Sequence, residues 1–166
     1  MGWIRCILIA CLVAVQIAFG APEFLLSKDG YWTRALSYSF FHASWWHLAV
    51  NSLAVWSIYS PKRSCKPCRD LLFPYIIAVL VYPLSLRPVI GLSNLLYAVL
   101  GLRTPPLSSP WWKQTPVLVF LVVTVLMVFI PQVSATTHVA AFLLGVGGAH
   151  LNRYVKKVTR DAGRYL

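Results

Sequence analysis

The chain has 166 residues, of which 58% are hydrophobic and only 11% charged, against about 25% charged in soluble domains. That composition, with a mean hydropathy of +0.68, is expected of an integral membrane protein too short to carry a sizeable soluble appendage. The net charge of +11 comes from Lys and Arg confined to short segments between apolar runs, which argues against a nucleic-acid partner and for one basic face of a lipid bilayer.

Trp3 to Phe19 holds a single charge, Arg5, and reads as a first span over 3–19. Ala18-Phe19-Gly20-Ala21 also resembles a signal-peptidase site, but a retained span is expected because the charge pattern works best with an even number of passes. Gly20 to Arg34 is polar and aromatic, as suits an interfacial loop. The next uncharged run, Ala35 to Pro61, is too long for one minimal span, and its second half is expected to form a helix over 45–60.

A basic loop follows, Lys62-Arg63-Ser64-Cys65-Lys66-Pro67-Cys68-Arg69. Its lone C-x-x-C supplies only two of the four ligands that a zinc site takes, so no structural metal is expected, and in a cytoplasmic loop these thiols stay reduced. Cys6 and Cys11, in the first apolar run, are expected to act as small hydrophobes.

The third span is expected over 71–86, with Pro83 bending its last turn. The fourth, over 91–103, is short for a bilayer core that takes about 20 helical residues, so its start lies below the surface. Arg103 to Lys113 is a proline-rich interfacial loop, and the 39 uncharged residues between Lys113 and Arg153 suit two spans, 115–131 and 136–152, broken at Pro131-Gln132-Val133-Ser134. The basic tail from Arg153 reads as helical. The whole, 1–166, is one domain of six transmembrane helices.

Orientation follows from charge. With an inside amino terminus and six passes, the inside segments carry twelve Lys and Arg and the outside segments only Lys28, Arg34 and Arg87. Such a bias places both termini in the cytoplasm, in what is expected to be the inner membrane of a bacterium. His47 and Asn51, Ser93 and His138 then enter from the outer face at similar depth, on three helices.

The four acids, Glu23, Asp29, Asp70 and Asp161, all flank apolar runs. A paired-aspartate protease, a proton-relay pump and a carboxylate metal site therefore lack their reacting groups. The chain also has no H-E-x-x-H zinc-peptidase helix.

Taken singly, Ser93 reads as a hydroxyl bonded to its own helix and each histidine as a buried hydrogen-bonding group. Together they make the minimum for nucleophilic catalysis, with imidazole taking the hydroxyl proton and later protonating the leaving amine. Asn51 and His47 are neutral donors suited to an oxyanion in a dry site. No acid is available to orient His138, and Tyr97, one turn below Ser93, can support its ring by packing. His42 and His150 read as structural or interfacial, Trp3, Tyr31, Trp32, Trp111 and Trp112 as belt anchors, and Gly145 and Gly148 as packing residues.

Trp32-Thr33-Arg34, His42-Ala43-Ser44-Trp45-Trp46-His47-Leu48-Ala49-Val50-Asn51, Gly91-Leu92-Ser93, and His138 followed by small residues resemble, in this order, the rhomboid family of intramembrane serine proteases. The resemblance implies an all-α six-helix bundle with Ser93 as nucleophile, His138 as general base, His47 and Asn51 as oxyanion donors and Tyr97 supporting the base. Trp32 and Arg34 match the family's W-R loop feature loosely, as residues that position loop or substrate. Two departures stand out: Asn94 where a small residue usually follows the serine, narrowing the oxyanion pocket or adding a donor to it, and Ala141 where the last helix usually has glycine. The implied substrates are transmembrane proteins with easily unwound helices and a small residue before the scissile bond, reached through a cavity that opens outward beneath the first loop and a mobile fifth helix. No metal or organic cofactor is called for. The alternative is a non-catalytic rhomboid-like module that binds transmembrane segments.

Overall fold

In the computed structural model, residues 3–20, 31–59, 68–85, 90–106, 109–110, 115–128 and 134–162 are described. Among them are seven α-helices and no strand: α1 (Trp3–Phe19), α2 (Tyr31–Ser37), α3 (Trp45–Ile58), α4 (Phe73–Val81), α5 (Ser93–Leu102), α6 (Thr115–Val128) and α7 (Ala135–Ala162). Each expected span overlaps one helix, and α7 runs ten residues past the expected end of its span, through the basic tail to Ala162. The additional α2 begins inside the segment expected to be loop, and a short 3₁₀ turn, Tyr38–Phe40, carries its end inward.

Local chemistry sets several boundaries. Ser44 caps α3, its hydroxyl accepting from the His47 amide at 3.1 Å, and so satisfies a donor that has no partner within the helix. A wide π-type turn, Cys68–Leu72, leads into α4, whose first turn tolerates Pro74 because that amide needs no acceptor. At its other end α4 tightens into a 3₁₀ turn, Tyr82–Leu84, around Pro83, which cannot supply the next helical donor. The loop with Cys65 lies outside the described residues.

Among the described residues no helix is long and apolar enough to cross a membrane by itself. α1 has 17 residues, α3 and α6 have 14 each, and α7 interrupts its apolar residues with His138, Thr136, Thr137 and His150. The surface carries the membrane signature instead. Leu53, Leu80 and Leu143 are 67%, 63% and 60% exposed, while Asn51, Asn94, Thr137 and His138 are buried. A chain that puts leucine outside and amides and imidazole inside has the polarity expected of a bundle packed in lipid.

α5 is the centre of the bundle, buried from Ser93 through Val99 and again at Gly101. Its closest neighbour is α7. A Cβ placed on Gly101 would lie 2.1 Å from the Phe142 carbonyl oxygen, and one on Gly145 would lie 2.3 Å from that of Ala98. Only glycine at both positions lets the two backbones meet. That contact brings the first turns of α5 and α7 side by side.

The opposite end is tied by arginines. Arg5 of α1 lies over the Trp56 ring at 3.6 Å, Arg103 donates to the Ile58 carbonyl, and Arg153 of α7 donates to the Thr104 carbonyl at 3.0 Å. α3, α5 and α7 therefore run in one direction, polar cluster at their starts and basic residues towards their other ends.

Candidate active site

The cluster is built on the amino-terminal turns of α3, α5 and α7. Gly91 precedes α5 with φ of +115°, a backbone that side chains disfavour, and a Cβ there would lie 2.6 Å from the His47 ring. Glycine is thus required twice over in Gly91-Leu92-Ser93, once for the turn and once to let the serine loop lie against His47.

Ser93 opens α5 and is buried, with its Oγ 2.7 Å from His138 Nε2. The other ring nitrogen, Nδ1, lies 2.6 Å from the carbonyl oxygen of Ser134. A carbonyl only accepts, so Nδ1 carries the proton and donates to it, leaving the Nε2 lone pair to accept the serine hydroxyl. The Thr137 hydroxyl donates to the same Ser134 carbonyl at 3.0 Å. A backbone oxygen thereby fixes the tautomer and direction of the ring.

The Tyr97 ring meets the His138 ring edge to face, with centroids 4.8 Å apart. Phe120 of α6 packs on Tyr97 at 5.7 Å and stacks on Phe142 of α7 at 3.9 Å. His138 is thus held by an aromatic wall drawn from α5, α6 and α7.

His47 and Asn51 share one face of α3. The Asn51 amide nitrogen donates one hydrogen to the His47 carbonyl at 2.9 Å, and its second hydrogen is available for another acceptor. Both side chains border Gly91: the Cβ position there is 2.7 Å from His47 Nε2 and 3.6 Å from Asn51 Nδ2. His42, fully buried, packs its ring against that of His47 at 5.2 Å between centroids.

Other site candidates lie elsewhere. Trp32 is 71% exposed and Arg34 is half-buried, both on α2. Asn94, expected to narrow the oxyanion pocket or add a donor to it, is fully buried and donates to the Tyr38 hydroxyl at 3.0 Å. Ala141 is fully buried and packs with Tyr97, Ala98 and Phe142.

Sequence reasoning missed Ser134 and Tyr38. The Ser134 carbonyl carries no side-chain signature at all. Its place four residues before His138 was the only cue, since a histidine in a first helical turn can reach back to that carbonyl. Tyr38 belongs to no motif, and only the fold brings it to the serine.

A scan against protein families matches the Rhomboid domain over residues 29–152, most of the chain and every residue of the Ser93 cluster. A comparison with curated proteins finds none that matches. On the span of that family match, which takes in α2 through most of α7, the chain belongs to the rhomboid family of membrane proteins.

Proposed function

We propose that this chain is an intramembrane serine protease that cleaves other membrane proteins within or beside a transmembrane segment. The observation that carries the reading is the bond between Ser93 Oγ and His138 Nε2, 2.7 Å long, with Nδ1 held on the Ser134 carbonyl. In this reading His138 takes the hydroxyl proton as Ser93 attacks the scissile carbonyl. The imidazolium then gives that proton to the leaving amine, and a water, deprotonated by the same nitrogen, releases the acyl group.

The oxyanion formed in both steps is met by Asn51, by His47 and by the first backbone N–H groups of α5, which have no acceptor within their own helix. Neutral donors suit this site, since a buried cation would need its own counter-charge. Tyr97 supports the base, and Trp32 and Arg34 of α2 position the loop or the substrate above it.

The single domain crosses the membrane six times with both termini in the cytoplasm, in the inner membrane of a bacterium, and the Ser93 cluster in the outer half. α2, with 7 residues, lies in the outer loop. The substrate is a transmembrane protein whose helix unwinds near the outer face, with a small residue before the cleaved bond, entering beside α6. Among the described side chains of that helix, Val117 is buried and Phe120 and Val123 pack against the cluster of Tyr97 and Phe142.

The test is labelling of detergent-solubilised protein with a serine-reactive fluorophosphonate. Wild type is expected to label, and Ser93→Ala and His138→Ala, still folded, are not. A folded wild type that stays unlabelled would move the assignment to a module that binds transmembrane segments without cutting them.

A further inference from the structure

Tyr38 touches the serine segment at two points and α4 at a third. Its backbone carbonyl accepts from the Gly91 amide at 3.0 Å, two residues before Ser93. Its hydroxyl meets Asn94 Nδ2 at 3.0 Å, one residue after Ser93, and lies 2.8 Å from the Ala78 carbonyl oxygen in α4. Tyr38 and Asn94 are both 0% exposed, so none of these bonds competes with water.

The direction of the chain of bonds is fixed. Ala78 offers only a carbonyl, so the single phenolic proton goes there, and the phenol oxygen must accept from Asn94. Asn94 therefore presents its NH₂ to Tyr38. The Tyr38 ring, packed on Tyr82 at 5.1 Å, holds the hydroxyl in place.

A clamp of this kind answers a weakness of α5. The helix has 10 residues, follows a glycine with φ of +115°, and has no side-chain cap at Leu92. First turns of that sort fray, and Ser93 is the first residue of this one. An angular error there moves Oγ off His138, and a displacement of about 1 Å can cost about 100-fold in rate.

We propose that Tyr38 and Asn94 are positioning residues for Ser93, a buried hydrogen-bonded clamp from α4 through Tyr38 to the first turn of α5. The proposal rests on the serine-protease reading for its catalytic consequence, and on geometry alone for the clamp. Asn94, which departs from the small residue usual in the family, belongs in this reading to the scaffold of the serine and not to its pocket.

Tyr38→Phe and Asn94→Ala are each expected to lower the maximal rate of fluorophosphonate labelling by about 10- to 100-fold, with the probe concentration for half-maximal rate moved less than about threefold. The double variant is expected to be no slower than the slower single variant, because both changes break one chain of bonds. A merely structural role would lower the folded fraction and leave the rate constant of that fraction unchanged. Wild-type rates in either single variant, or losses that multiply in the double, overturn the proposal. Asn94→Ala, which removes the amide without changing the Tyr38 turn, decides the proposal if Tyr38→Phe does not yield folded protein.

Amide hydrogen exchange separates this from the protease reading. Each variant is expected to exchange faster than wild type across residues 91–95 and unchanged across 135–141. Unchanged exchange at 91–95 overturns the clamp, whatever the probe reports. A wild type that does not label overturns the protease reading and leaves the exchange result to decide the clamp.

Discussion

Both ring nitrogens of His138 are hydrogen-bonded to neutral groups. With Nδ1 on a carbonyl and Nε2 on Ser93, the imidazole has one tautomer and one direction, and the Tyr97 ring limits its tilt. Tyr97→Phe keeps that ring and is expected to label within a few-fold of wild type. Tyr97→Ala removes it, at a stability cost of about 3–5 kcal/mol by analogy with large aromatic truncations, and is expected to slow labelling of the remaining folded protein by at least tenfold, roughly the effect of a sub-ångström misplacement. Asn51→Ala removes one proposed oxyanion donor and is expected to cut the labelling rate by about 10²–10³. An Asn51→Ala protein that labels at the wild-type rate would take Asn51 out of the site and leave it a helix-packing residue bonded to His47.

The helix pair α5 and α7 decides whether those residues meet at all. Its glycines are not equivalent. A Cβ on Gly145 would press on the Ala98 carbonyl, while one on Gly147 of the same helix would meet nothing within 4 Å. Gly145→Val is expected to force the helices apart, costing about 1–3 kcal/mol or more for overpacking and widening the gap between Ser93 and His138. Gly147→Ala is expected to stabilise α7 by about 0.5–1 kcal/mol, the usual helix preference for alanine, with unchanged labelling. Thermal unfolding in detergent, read beside labelling, distinguishes the two. Equal effects from both substitutions would mean that the close contact is not what seats His138 beside Ser93.

Across the whole molecule the polarity is consistent. Ser93, His138, His47 and Asn51 occupy the starts of three helices, and Arg5, Arg103 and Arg153 lie at the other end. The arginines near the ends of α5 and α3 also sit where carbonyls face outward, so charge and helix dipole agree. If the basic end is cytoplasmic, a cysteine at position 157 in a variant lacking the native cysteines is expected to resist a membrane-impermeant maleimide in intact cells and to react after permeabilisation. A cysteine at position 32 is expected to react in both. The reverse pattern would invert the proposed topology and put the serine on the inner side.

Much of this was legible in the chain itself. Composition required a membrane bundle, and the order of Ser44-Trp45-Trp46-His47, Asn51, Gly91-Leu92-Ser93 and His138 pointed to a family that the domain match bears out. Helix α2 was not legible, because Tyr31–Ser37 has no apolar period of its own and is recruited by the turn that buries Tyr38. The partners of Asn94 were not legible either, since a hydrogen bond between residues 56 apart leaves no local pattern. Hydrophobic runs, caps and glycines act over a few residues, so the order of amino acids is enough to dictate which residue types stand at the starts of which helices. Only the tertiary structure decided what those residues face, because the Ser134 carbonyl on His138 and the Tyr38 hydroxyl under Asn94 exist only once the backbones of α5, α7 and α4 have packed.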